Sequence, residues 1–225
     1  MWPQWVLRRV NTREPIRRHV GQQMPKWTDS AEVKIKSVCH NCNNGWMSNL
    51  ETKSIPLIGA LLEDVELNLD ASQQTQIALW ALKTAMIIDS VPDHVRFYSN
   101  SECEGLKNSG ALPPTTTVWL GRYVGRSLHA GGATFGINAG GKKVADGSAT
   151  TIIIGHFILQ MATTHMLLSN LLGTITVNSA ATNSWSNRLI QNWPITANSV
   201  RWPPPNSFSN DGQFRLFDLV NRFKG

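Results

Sequence analysis

Hydrophobic and polar positions keep one rhythm before residue 114 and another after it. Between Asp70 and Val91, the residues Ile77, Trp80, Ala81, Thr84, Ala85 and Ile88 fall at helical spacing on one stripe. Asp70 and Gln73 stand as the two halves of a capping box ahead of it, and Val91-Pro92 ends it. A shorter helix is predicted over 101–107, stopped near Gly110 and Pro113-Pro114. Beyond Pro114, residues 115–123, 127–138, 150–162 and 165–177 are rich in Thr, Val, Ile and aromatics. They predict antiparallel strands joined by hairpins, with Gly131-Gly132 and Gly140-Gly141 as breaks. A last helix is expected over 212–223. Helices first and strands later is the order of an α+β fold.

Upstream, residues 2–10 predict a short helix, and 11–31, with Pro15, Gly21 and Pro25, a loop. Residues 33–38 alternate apolar and polar, as a strand leading into Cys39. Asn44-Gly45 permits positive φ and a tight turn. Ser48 and Glu51 are spaced as a second capping box, for a helix running towards Lys53 that already starts near Asn43 on another reading. Pro56 is expected to interrupt this helix and begin another through Leu62. The expected organisation is a partial ββα unit over 1–62, a helical region over 63–113, and a β-rich region with a terminal helix over 114–225.

Composition narrows the class. A chain of 225 residues can bury a sizeable core, and 41% apolar with 16% charged residues excludes a disordered protein. Nine Trp read mostly as core anchors. Three cysteines argue against a disulfide scaffold. Arg8, Arg9 and Arg13 follow Met1 too closely for a secretory signal, so a reducing cytoplasm is the expected setting. The most apolar stretch, 151–172, is interrupted by Gly155, His156, Gln160, His165 and Asn170; it reads as buried strands, and no membrane partner is expected.

Charge adds a partner. Residues 1–36 hold eight basic and three acidic residues, so five of the net six positive charges sit there. Arg8, Arg9, Arg13, Arg17, Arg18, Lys34 and Lys36 are therefore candidate contacts to a DNA backbone, against the alternative of a solvated basic arm.

The candidate chemistry lies in Cys39-His40-Asn41-Cys42, followed by Asn43-Asn44-Gly45. Two Cys in C-x-x-C spacing can each give a thiolate to one zinc, and a structural zinc wants four ligands. Cys39 and Cys42 are half of such a set. Their context of strand, C-x-x-C, turn and helix is the back half of a treble-clef-like unit.

The run from Cys39 through Asn43, Gly45, Trp46, Met47 and Leu50 to Glu51 resembles a bacterial group related to the HNH endonucleases, where C-x-x-C-N-x-G-W-M-x-x-L-E closes the zinc site. Trp2-Pro3-Gln4-Trp5-Val6-Leu7-Arg8 is similar to the segment that follows a Glu-His pair in that group. Trp80-Ala81-Leu82-Lys83-Thr84-Ala85-Met86 resembles the helix that comes after the knuckle. The resemblance implies metal-dependent phosphodiester hydrolysis, with a His as general base and a divalent ion such as Mg²⁺ held partly by the position of Asn43. It also implies zinc on Cys39 and Cys42 and a second C-x-x-C upstream. The pattern places its catalytic His just before Trp2, where this chain has Met1. Translation upstream of Met1 is expected to give a Glu-His pair and, about 10–20 residues before it, the second C-x-x-C. This polypeptide itself is expected to be inactive or truncated; the alternative is a non-catalytic nucleic-acid-binding or protein-interaction module.

Other residues carry less. His19 lies in the basic loop, able to complete a zinc site or act as base, or to be an exposed loop histidine. His40 should point outward from the knuckle. His94, His129, His156 and His165 show no metal spacing, and the last two read as histidines of apolar strands. Cys103 reads as a bystander thiol in a polar helix. Gly140-Gly141-Lys142-Lys143 lacks the order of a phosphate-binding loop and reads as a hairpin turn.

Overall fold

The computed structural model describes residues 3–10, 16–18, 26–28, 38–90, 96–125, 128–166 and 188–209, with 16–18 and 26–28 as backbone only. The strand expected over 33–38 (apart from Val38), the helix over 212–223 and most of the strand over 165–177 lie outside these residues. So do Arg13, His19, Lys34, Lys36 and His94.

In chain order the elements are α1 (Gln4–Val10), β1 (Ile16–Arg18), β2 (Lys26–Thr28), α2 (His40–Cys42), a π-type segment (Asn43–Met47) and α3 (Ser48–Leu62). Then come β3 (Leu67–Asp70), α4 (Ala71–Asp89), α5 (Asn100–Ser109), β4 (Thr117–Tyr123) and β5 (Leu128–Ala139). The last are β6 (Lys142–Ile154), β7 (Phe157–Met166), β8 (Leu189–Trp193), β9 (Ser199–Trp202) and β10 (Ser207–Phe208). Helices and a largely antiparallel sheet make a mixed α and β fold, as the order of patterns predicted. The main sheet runs β10-β4-β7-β6-β5, with β8 also on β4; among the described strands, only β10 pairs in parallel. β3 and β9 form a separate antiparallel pair, as do β1 and β2.

α4 is the centre of the molecule. The Asp70 carboxylate accepts the Gln73 N–H at 2.8 Å, and the Gln73 side chain accepts the Asp70 N–H at 3.0 Å, so the predicted capping box forms. The predicted stripe is buried but is not the whole of the buried surface. Trp80 through Met86 are buried without interruption, Lys83 and Thr84 included. A stripe faces one neighbour; α4 has α3 against it and also β5, β7 and β8.

The main core takes Val6 from α1, Ile58 and Leu61 from α3, Trp80 from α4, and Ile152, Leu159 and Trp202 from the strands. Alternation along β6 and β7 sends Ile153 and Ile158 to the other face, where they meet Tyr123 and Phe208.

Three expectations about breaks are corrected. Gly131 and Gly132 do not end a strand; they pair with Thr151 and Thr150 inside the β5–β6 ladder. The turn falls at Gly140-Gly141, where φ is +57° and +75°. The stretch 150–162 is not one strand: it folds back at Gly155-His156, again through a left-handed glycine, φ +56°. Pro56 interrupts nothing, because α3 continues through it to Leu62. The missing N–H forgoes one bond, while Ile58, Leu61 and Leu62 anchor the following turn in the core.

Candidate metal centre

Cys39 is the N-cap of α2, with extended backbone at φ −66° and ψ 153°. Its Sγ accepts the Cys42 N–H at 3.2 Å, and its carbonyl accepts the Asn43 N–H at 3.0 Å. A thiol thus takes the place that a serine or aspartate oxygen fills at most helix starts. The pair lies on the first helical turn, where residues three apart share a side. Cys39 is exposed and Cys42 half-buried. Contacts with Cys42, through its side chain and its backbone, hold the Cys39 thiol below its ordinary value, and the Lys107 charge on α5 acts in the same direction.

Two local expectations fail here. Ser48 and Glu51 cap nothing, because the helical course has already begun at Cys39 and Ser48 stands inside it with αR backbone. Gly45 makes no left-handed turn. It sits at φ −96° and ψ −110°, a kink in the π-type segment that hands α2 on to α3 without reversing the chain.

Freed from capping, the Glu51 carboxylate turns inward. It accepts the Trp5 indole N–H at 2.9 Å and the Trp80 indole N–H at 3.2 Å, and it pairs with the Lys83 ammonium. The Lys83 side chain is only 4% exposed. Burial pulls its pKa down, and the Glu51 charge opposes that. Trp5, Glu51, Trp80 and Lys83 come from the three stretches that carried the resemblance. Those stretches meet at one carboxylate.

The predicted catalytic and nucleic-acid contacts are more scattered. Asn43 is exposed, and its amide donates to the Asn44 side chain at 3.3 Å. Asn44 also bonds His40 Nε2 at 2.7 Å, so His40 is exposed as expected. Arg8 is exposed on α1. Arg9 pairs with Glu63 at 2.6 Å and lies across Gly59, where a Cβ would stand 2.4 Å from its guanidinium. Arg17 and Arg18 fall in β1. His156 sits in the β6–β7 turn and not in a strand; its Nδ1 is 2.8 Å from the Tyr123 carbonyl oxygen. His165 pairs with Glu102 at 2.7 Å and stacks on Phe97.

A cavity of about 260 Å³ opens beside the cysteine pair. Cys39, Cys42 and Trp46 line it, with Met86 of α4 and Arg96. Cys103, Glu104 and Lys107 of α5 line it too. The signals for both missed features were in the sequence. Asn100, Cys103, Glu104 and Lys107 have the spacing of one helix face, and Glu51 ends a run with tryptophans and a lysine in the companion stretches.

No family model, curated protein or solved structure matches this chain. A structural zinc takes four ligands. Cys39 and Cys42 suit two positions: deprotonation of Cys39 is favoured, and both thiols stand on one turn at the mouth of a cavity. Among the described residues, no three His, Cys, Asp or Glu side chains already form a group around one point. The described helices include none long and apolar enough to cross a membrane.

Proposed function

We propose that this chain is a nucleic-acid-binding relative of the HNH endonucleases, in which Cys39 and Cys42 supply half of a structural zinc site. One observation carries the reading: the two thiols occupy the N-cap and first turn of a helix. That is where a treble-clef unit takes the second pair of its four ligands. The convergence of the three resembling stretches on Glu51 supports it. Exposed Arg8 and the strand holding Arg17 and Arg18 supply the basic segment for phosphate contacts.

Bound zinc would fix the direction in which α2 leaves the preceding chain and so present the basic segment in one orientation. Asn43 is the residue that would share a Mg²⁺ ion in a hydrolytic site. It has no group of acidic or histidine ligands around it among the described residues.

Metal analysis of the purified chain is the test. Zinc should be present, and Cys39→Ser with Cys42→Ser should remove it. DNA affinity should fall steeply with salt, with plasmid left intact in Mg²⁺ or Mn²⁺. A chain that takes up no zinc sinks the reading; nicking of plasmid would restore the catalytic one.

A further inference from the structure

We propose that the cavity beside the cysteine pair receives one unpaired base of a single-stranded nucleic acid, with Arg96 and Lys107 meeting the neighbouring phosphates. This rests on the nucleic-acid reading above and names the form of nucleic acid which that reading leaves open.

At about 260 Å³ the cavity falls below the roughly 300–1,000 Å³ of pockets that enclose whole small molecules, so it suits one flat ring system. Its lining carries the parts such a ring needs. The half-buried Trp46 offers an indole, and Met86 an apolar, polarizable neighbour. Stacking on an aromatic side chain accepts any base, because every base has a π-face. Asn100 and Glu104, one turn apart on α5, bring an amide and a carboxylate that can bond the polar edge of a base.

Charge selects a nucleic-acid strand over an uncharged apolar ligand. Arg96 and Lys107 are exposed, and Glu104 is the one acid among the lining residues, so the lining is net positive. Among the described residues neither cation forms an ion pair, unlike Arg9 with Glu63 or Arg122 with Asp64. Phosphates supply the counter-charge. A base stacked and paired inside a duplex cannot enter such a cavity, so the strand is single or locally unpaired.

The test measures binding of the full chain to a labelled DNA strand of about ten nucleotides and to the same strand with abasic sugars throughout. Removing the bases should weaken binding about tenfold, the order expected for one lost stack. The base-bearing strand should quench indole fluorescence, and Trp46→Phe, which keeps a ring in place, should remove that quench. Lys107→Ala should weaken binding of both strands several-fold. Equal affinity for the two strands, a quench that persists in Trp46→Phe, or full affinity in Lys107→Ala overturns the proposal and leaves the phosphate contacts of the basic segment standing. No binding of either strand, or of duplex, overturns both.

Discussion

Two parts of the molecule lie within a dozen residues of each other and behave in opposite ways. At Glu51 a charge faces inward and is met by three donors from α1 and α4. At Cys39 and Cys42 the polar atoms face a cavity and most of their bonding capacity is unspent. One short stretch thus holds both a residue that fastens the helix to the core and two thiols that line a cavity. A run of matching residues is therefore not a site from end to end; burial and partners separate its two jobs.

The largest way to break this contrast is Glu51→Ala. It strands the buried Lys83 ammonium and two indole N–H groups, and should lower stability by about 3–5 kcal/mol in urea denaturation. Lys83→Met in the same background should recover part of that loss, because the unpaired charge goes with it. The zinc content of molecules that remain folded should not change.

Gly155→Ala strikes the far end of the same helix. A Cβ there would sit 2.8 Å from the Leu62 carbonyl oxygen, on a residue at φ +56°. A loss of about 2 kcal/mol is expected in the same denaturation experiment. A smaller effect belongs to the α5 side. Ser99→Ala removes a cap oxygen that accepts the Glu102 N–H at 3.3 Å, at a cost of about 1 kcal/mol. Faster amide exchange confined to α5, with α3 and α4 unchanged, would show that the cleft's outer wall opens by itself.

Acid should loosen that wall further. Burial would raise the Glu102 carboxyl, but bonds from the Ser99 backbone and hydroxyl, and then His165, outweigh it and leave the carboxyl below its ordinary 4.5. Its folded pKa lies under its unfolded one, so its contribution is whole above pH 4.5 and is lost as pH falls through the folded value. The stability difference between the unmutated chain and Glu102→Gln should therefore shrink below pH 4.5. The smallest effect concerns DNA. Arg8→Ala should reduce the slope of log affinity against log salt by about one, and Arg9→Ala by less, since Glu63 already engages Arg9.

What was legible in the sequence follows from what is local. The Asp70–Gln73 box, the left-handed Gly110 that ends α5, and the Gly140-Gly141 hairpin each depend on a few adjacent residues, and all form as expected. What failed depended on the partner. Ser48 and Glu51 have capping spacing, but a carboxylate gains more from two indoles and an ammonium than from one backbone N–H. Gly131-Gly132 looks like a break until β6 lies beside it. Cys103 looks isolated until α5 brings it to the cavity that Cys39 and Cys42 line. Spacing alone singles out Cys39 and Cys42 as candidates, whereas the cavity they line exists only once α4 and α5 are in place.

The turn at Gly155-His156 does more than reverse the strands. Its His156 N–H bonds the Leu62 carbonyl at 3.2 Å, among the last carbonyls of α3. Fifteen residues of helix, about 22 Å, separate that bond from the kink below the cysteines. The helix is thus tied to the sheet at its far end and, through Glu51, to α1 and α4 at the end nearer the thiols, so the β6–β7 hairpin and the buried carboxylate together set the direction in which the cysteine turn is presented.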